Sequence, residues 1–377
     1  NSTIRYKNQN IRIIFDEYES EFIDKNDSFV VMMGMTPFTI ESRADRHHIL
    51  STLAQKYSKN IIAVNHFGGY TSVLFDGNCT AYNYKGKLVA QLKEFDEDFQ
   101  IIDTNKLGSL PTIPFHQKEK IALIHEALCF GIKDYFGKHG FKKAILGLSG
   151  GIDSAVVAAL AAEALGADNV MGLLMPSRYS TDHSISDAEA LAQNLQIPYA
   201  TIAIKDIYDQ YLNALQPLFK DQPFNVAEEN LQARTRGMLV MAMSNKYGYI
   251  ALNTSNKSEA SVGYGTLYGD LCGSLGSLGD VYKTEVYELA NYINREREII
   301  PENTITKAPS AELRPDQKDQ ESPPEYKQLD AILKLYIEEN ASSESIIKQG
   351  YPKEIVDKVI SMVQRNDYKR AQCPPII

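Results

Sequence analysis

The sequence predicts two α/β domains, the larger built on a doubly wound parallel sheet. Three observations lead there. A strand–helix alternation begins near residue 144, the first hundred residues are patterned differently, and a proline-containing stretch separates the two. At 377 residues the chain exceeds one ordinary domain, and 44% apolar with 23% charged residues leaves each half enough to bury a core.

Between Asn60 and Phe99 short apolar runs alternate with turns. Asp76-Gly77 and Lys85-Gly86 stand between β-rich runs there, as hairpin turns do. Ahead of them Arg43–Tyr57 carries apolar residues at helical spacing, so residues 1–107 read as an α/β sandwich or layered domain. Gly108–Gln117 has two prolines and no clean period, and is expected to be the link to a second domain at 118–377. Lys118–Phe136 reads as an amphipathic helix and Ala144–Leu148 as a buried strand. Ala155–Leu165 is a helix closed by Gly166, followed by a strand at Val170–Met175. Ser184–Leu195 is helical, Tyr199–Ile204 a strand, Glu228–Lys246 a long helix and Tyr249–Asn253 a short buried strand. That pitch belongs to βαβ units, whose active sites lie beyond the carboxyl ends of the strands.

Composition narrows the function classes. The net charge is −9 and no Lys/Arg-rich run is present, which argues against a nucleic-acid partner. No apolar run reaches the roughly 18–20 residues of a membrane span, and no signal-peptide pattern opens the chain. Cys79, Cys129, Cys272 and Cys373 lie far apart without a CxxC pair, as reduced thiols of a cytoplasmic protein would. Asn1 is not an initiator Met, so the sequence is expected to start inside a longer natural chain. The only polar low-complexity stretch, Arg314–Glu325, is a candidate lid or a plain surface loop.

The strongest chemical signal is Gly147-Leu148-Ser149-Gly150-Gly151-Ile152-Asp153-Ser154, between a strand and a helix. Adjacent glycines let the chain turn sharply and present consecutive N–H groups to an anion, with the helix dipole behind them. Ser149 and Ser154 offer hydroxyls to phosphate oxygens. Asp153 would repel phosphate, which implies a bridging divalent cation, Mg²⁺ being the natural one. No Gly-Lys-Ser/Thr follows, so this is not a Walker A loop. The plain alternative is a glycine turn with a Ser/Asp helix cap. The loop resembles the SGGxDS loop of the ATP-pyrophosphatase superfamily, Rossmann-like proteins that cleave ATP between its α and β phosphates.

Downstream segments choose a branch of that superfamily. Glu229–Arg236 (ENLQARTR) resembles a segment of NAD synthetases, and Asn253–Glu259 (NTSNKSE) followed by Val262–Asp270 (VGYGTLYGD) is closer still. Asp280–Thr284, Lys307–Leu313 (KAPSAEL, taken as a strand) and Asn366–Arg370 complete five matches in order. The resemblance implies an ATP-dependent ligase that adenylates deamido-NAD and lets ammonia, or nitrogen released from glutamine, displace AMP. It implies that Thr254, Lys283 and Ser310 face ATP alongside the loop, and that Asp153 and Glu259 hold the cation. Asn230 and Arg234, four apart on one helix face, look like a clamp for deamido-NAD, together with Glu259 and Lys369. Asp270 either caps a turn or contacts the nicotinate ring, and Gly263–Gly279 is a glycine-rich loop that lines the site or merely connects. A homo-oligomer, at least a dimer, goes with the same reading. Another amidotransferase such as GMP synthetase, or a pseudoenzyme that binds ATP without turnover, are the alternatives.

Residues 1–107 resemble the last part of a nitrilase-like amidase domain, through Thr36-Pro37-Phe38, Val64–Gly69 and Phe75-Asp76-Gly77. In glutamine-dependent NAD synthetases such a domain releases ammonia with a Cys, Glu and Lys triad. Ile14-Phe15-Asp16-Glu17 puts Phe15 where the nucleophile belongs. Alternatively Phe15-Asp16-Glu17-Tyr18 resembles an earlier family segment, and too few positions then separate Tyr18 from Pro37 to hold the nucleophile strand. On either alignment no glutaminase nucleophile is found, and the domain reads as incomplete.

Overall fold

The computed structural model describes residues 2–70, 72–308, 312–314 and 324–377. Ser310 and most of Arg314–Glu325 lie outside them. The chain divides into two compact units, residues 1–134 and 135–377.

In the first unit, β1 (Ser2–Tyr6), β2 (Gln9–Ile14) and β3 (Phe29–Met33) precede α1 (Ser42–Tyr57). Then come β4 (Ile61–Val64), β5 (Phe67–Tyr70), β6 (Val73–Asp76), β7 (Thr80–Tyr82), β8 (Leu88–Gln91) and α2 (Lys120–His139). Six of these strands form one mixed sheet in the order β1-β2-β3-β4-β7-β8, parallel from β2 to β4 and antiparallel elsewhere. Leu50, Leu53 and Ala54 of α1 pack on Ile14, Val30, Ile61 and Tyr82 of the sheet, which is why the α1 spacing was legible. Lys85-Gly86 does turn the β7–β8 hairpin. Asp76-Gly77 does not make a hairpin: β6 pairs only with β5, in a separate two-stranded sheet, whereas β7 joins β4. Asp76 is instead a buried acceptor, taking Asn65 Nδ2 at 2.9 Å and the Arg46 guanidinium. Asn65 Oδ1 in turn accepts the Thr36 N–H at 2.9 Å, so three of the segments singled out in the sequence meet on one side chain.

The expected link, 108–117, runs as irregular chain after a short turn of helix at Leu107–Ser109. The division between compact units falls further on, inside α2. The helix up to that point is tied to the first unit: Phe130 packs on Phe67 and Phe95, Asp134 accepts the Gly69 N–H, and Lys118 just ahead of α2 pairs with Glu94 and Glu126.

The second unit continues with β9 (Ala144–Gly147), α3 (Ile152–Leu165), β10 (Val170–Leu174), α4 (Asp182–Leu195) and β11 (Tyr199–Thr201). After α5 (Lys205–Phe219) and α6 (Val226–Tyr247) come β12 (Ile250–Asn256), α7 (Lys257–Val262), β13 (Leu275–Leu278) and α8 (Lys283–Ile293). Among the described residues there follow α9 (Glu302–Thr306), α10 (Tyr326–Leu333), α11 (Ser343–Lys348), α12 (Lys353–Arg365) and α13 (Asp367–Arg370). The sheet is parallel throughout, in the order β11-β10-β9-β12-β13. The chain thus winds outward one way from β9 and then the other way from β12, leaving a crevice at the carboxyl ends between them. α3 is buried along nearly its whole length, as its alanine-rich sequence requires of a helix close against a sheet.

Three expectations need correction. Leu275–Leu278, read as part of a glycine-rich loop, is a fully buried strand beside β12, where small residues allow close packing. Thr254 lies within β12 rather than after it, because that strand runs on through an irregularity between Asn253 and Asn256. KAPSAEL is not a strand among its described residues: Lys307 ends α9, and Glu312 has a positive φ of 49°. α5 was not anticipated, although its apolar face is helical in spacing.

Candidate active site at the sheet switch point

The glycine loop leaves β9 at Gly147 and enters α3, whose first turn begins at Ile152. Gly150 has φ +75°, and a Cβ there would stand 2.2 Å from the Ser184 carbonyl oxygen, so glycine is required both for the turn and for the close approach of α4. Ser154 points inward: its Oγ donates to the Gly151 carbonyl at 3.0 Å and lies 3.2 Å from Ser149 Oγ. It is buried and braces the loop. Ser149 and Asp153 remain on the wall of the crevice, with Gly147, Leu148, Gly151 and Ile152.

The crevice holds about 560 Å³, enough for a nucleotide-sized ligand. At its centre Lys283 Nζ reaches the Asp153 carboxylate and, at 3.2 Å, Glu259 Oε1. Three elements meet here: the first turn of α3, the first turn of α7 and the start of α8. Burial alone would lower the Lys283 pKa, but the Asp153 and Glu259 carboxylates outweigh it and hold the pKa raised, so the ammonium stays charged. Asn256 caps α7 by accepting the Glu259 N–H at 3.0 Å and donates Nδ2 to Asp153 Oδ1 at 2.8 Å. One asparagine therefore orients both acids. Sequence reasoning gave Asn256 no role; an Asn directly before a helix is the signal that could have marked it as a cap.

The expected clamp is only partly assembled. Asn230 lines the crevice, its Oδ1 accepting Thr266 Oγ1 at 2.8 Å. Thr266 N–H is held by both Asp270 oxygens, at 3.0 and 3.1 Å, so Asp270 does cap a turn while also lining the crevice. Asp270 is open to the crevice yet crowded by protein, and that desolvation raises its carboxyl pKa against the pull of the Thr266 N–H. Lys369 also borders the crevice, but its Nζ holds the Gly263 and Gly265 carbonyls at 2.7 and 2.8 Å, and burial lowers its pKa. Arg234 is exposed away from the lining, its Nε on the Leu267 carbonyl at 3.2 Å. Thr254 lines the crevice as expected.

The sequence missed Arg236, deep in the crevice wall with Nε on the Met175 carbonyl at 3.1 Å. Desolvation lowers its guanidinium pKa to about 10, with Glu312 and Asp270 opposing. Six positions from Asn230, Arg236 lies on another side of an ideal helix, so no spacing marked it. Lys307 was missed as a site residue too; its Nζ reaches Ser184 Oγ at 3.1 Å, and Ser184 also donates to Glu312 at 2.6 Å.

A buried ammonium, two acids and a glycine loop at a helix N-terminus thus share one wall of the crevice. The chain is 45% identical over 364 residues to a glutamine-dependent NAD(+) synthetase of Synechocystis, covering 94% of this chain and 64% of that protein. The chain therefore spans less than two thirds of that relative's length. The structure of a glutamine-dependent NAD+ synthetase from Acinetobacter baumannii, in complex with adenosine diphosphate, superimposes with a TM-score of 0.76 at 37% identity, covering 98% of this chain and 70% of that one. An NH3-dependent NAD synthetase from Campylobacter jejuni, in complex with nitrate, is matched over its full length and 69% of this chain, at 31% identity and a TM-score of 0.55. The family model described as NAD synthase matches residues 124–373, and the chain belongs to that family.

Proposed function

We propose that residues 118–377 catalyse the ATP-dependent amidation of deamido-NAD to NAD. The observation that carries this reading is the Asp153–Lys283–Glu259 cluster facing the glycine loop at the switch point. A nicotinate carboxylate oxygen attacks the α-phosphorus of ATP, the bond from that phosphorus to the bridging oxygen breaks, and pyrophosphate leaves. Ammonia then attacks the acyl carbon of the adenylate, the carbon–oxygen bond to AMP breaks, and the amide nitrogen loses its extra proton to solvent. The chain's part is alignment and charge neutralisation: Lys283 and the loop N–H groups meet the phosphates, while Asn230 and Arg236 border the space left for the second substrate.

The donor set also suits Mg²⁺, since Asp153 and Glu259 are hard oxygen ligands. Both already share Lys283, so a cation held there would take oxygens the ammonium leaves open and complete its shell on ATP. It would supply further neutralisation of the leaving pyrophosphate.

For the reaction of residues 118–377 we assign free ammonia as the nitrogen donor. Phe15 follows the last residue of β2, is 54% exposed, and donates its N–H to Glu19 at 2.9 Å; on one alignment it holds the nucleophile's position, and on the other too few residues precede Pro37 to carry the nucleophile strand. Supplied with ATP, Mg²⁺ and deamido-NAD, the 377-residue chain is expected to form AMP and NAD together from ammonium chloride, at a rate rising toward alkaline pH as free base becomes available. Glutamate appearing in step with NAD would overturn the donor assignment. AMP formation with xanthylate in place of deamido-NAD would point to GMP synthesis, and ATP binding without AMP to a pseudoenzyme. Assembly as a homodimer or larger rests on the family resemblance, and sedimentation at the 42.2 kDa monomer mass would reject it.

Asn230, Lys369 and Arg234 are assigned to deamido-NAD. Alanine at Asn230 or Lys369 is expected to raise KM for deamido-NAD by roughly ten- to a hundredfold and KM for ATP much less. Lys369→Ala should also lower Tm by a few degrees, because two glycine carbonyls lose their donor. Arg234→Ala should act on KM only if a bound substrate reaches beyond the crevice; equal KM values for Arg234→Ala and wild type would remove Arg234 from the clamp.

A further inference from the structure

Helix α10 does not line the crevice, yet two of its side chains, one turn apart, reach the charged cluster. Tyr326 Oη lies 3.4 Å from Glu259 Oε1, and its ring stands 5.2 Å from Lys283 Nζ. Asp330 is 5% exposed and accepts two hydrogen bonds, one from Ser258 Oγ and one from the Thr284 N–H at 2.8 Å. Ser258 Oγ itself accepts the Lys283 N–H at 2.8 Å. The first two N–H groups of α8 therefore both end on Asp330, one directly and one through Ser258. These are the groups a helix leaves without partners of its own.

Among the described residues no lysine or arginine pairs with Asp330. Burial raises its carboxyl pKa, while the Ser258 and Thr284 donors pull the other way. A buried acid without a counter-ion is a costly way to cap a helix that a serine or threonine could cap. Its compensation is the positive end of α8, and that end carries Lys283. α10 is itself fixed, with Leu329, Ile332 and Leu333 in a core that includes Val262 and Tyr282 on either side of the cluster.

We propose that Asp330 is a positioning residue for the synthetase reaction: through Ser258 and the first turn of α8 it sets where Lys283 Nζ stands between Asp153 and Glu259. The inference rests on the reading of Lys283 as a phosphate-facing group. Nothing in the motif segments pointed to it, since Asp330 lies well away from all five.

The test is a double-mutant cycle on the 377-residue chain, with Asp330→Asn and Ser258→Ala each made alone and together with Lys283→Met. Alone, Asp330→Asn is expected to lower kcat roughly tenfold or more, with KM for deamido-NAD within about twofold of wild type. In the Lys283→Met background the same change should lower kcat less than about twofold further. A role confined to stability would lower Tm and cost the same factor in both backgrounds, and that result overturns the proposal. If Asp330→Asn does not fold, Ser258→Ala, which removes one hydroxyl at a fully buried position, carries the same cycle. Turnover of the wild-type chain separately tests the synthetase reading. If wild type forms no AMP, the cycle is read on the ATP Kd by calorimetry, where additive penalties overturn the inference and non-additive ones support it.

Discussion

Asp153→Asn is expected to slow pyrophosphate release by roughly a thousandfold or more, with the fold retained. The carboxylate sits on the second residue of α3, at the mouth of the glycine loop, and bonds both Lys283 and Asn256. Asparagine keeps the shape and one acceptor oxygen for Asn256, so the loop should hold. It removes the charge that fixes the buried ammonium and the hard oxygen a divalent cation would use. Lys283 would then answer to Glu259 alone and shift toward it. Losing one of two acids around a buried cation is also expected to reduce stability by about 1–3 kcal/mol, since Glu259 still compensates part of the charge. Rapid-quench measurement of pyrophosphate, beside Tm, separates the two effects. A rate above about a tenth of wild type would remove Asp153 from the phosphate-handling machinery.

Gly150→Ala is expected to be the most damaging single methyl group in the second unit. At φ +75° an L-residue pays about 1–2 kcal/mol in backbone strain. The new Cβ would also lie 2.2 Å from the Ser184 carbonyl oxygen and 2.9 Å from two further Ser184 backbone atoms, none of which is a flexible side-chain end. The loop or the start of α4 must move, and overpacking against backbone adds about 1–3 kcal/mol. Together these predict a Tm lower by roughly 5–15 °C for a unit of this size. Activity should fall at least a hundredfold even below Tm, because the displaced atoms belong to the loop proposed to face the phosphates. Thermal scans and AMP formation at 10 °C test this. An active, normally stable variant would show that the loop takes up its turn elsewhere, and would undo the geometric requirement placed on Gly150.

Much of this was legible because it is local. β9, α3, β10, α4 and α6 carry their period in consecutive residues, and Gly150, Gly151, Gly166 and Asp153 announce turn, cap and charge by residue type alone. What escaped reading was set by partners distant in sequence. β13 looked like loop because Gly276 and Ser277, half of its residues, are poor strand formers, and it is a strand only because β12 lies beside it. Ser154 has the position and chemistry of a phosphate donor, and the structure adds that its hydroxyl also bonds the Gly151 carbonyl one turn back in the chain. Arg234 and Arg236 have equal claims by type; the Leu267 carbonyl takes one and the crevice wall receives the other.

By itself the sequence determined the fold class, the place of the glycine loop on it, and the charged and hydroxyl residue types gathered there, since each follows from short-range sterics and charge. Only the tertiary structure decided that one ammonium, Lys283, stands between two acids from different helices. Residues 153, 259, 283 and 330 approach one another because β9 and β12 are neighbours at the switch point and α10 packs behind α7 and α8. Electrostatic coupling depends on those few ångströms of separation and on exclusion of water, and neither is encoded at any spacing along the chain.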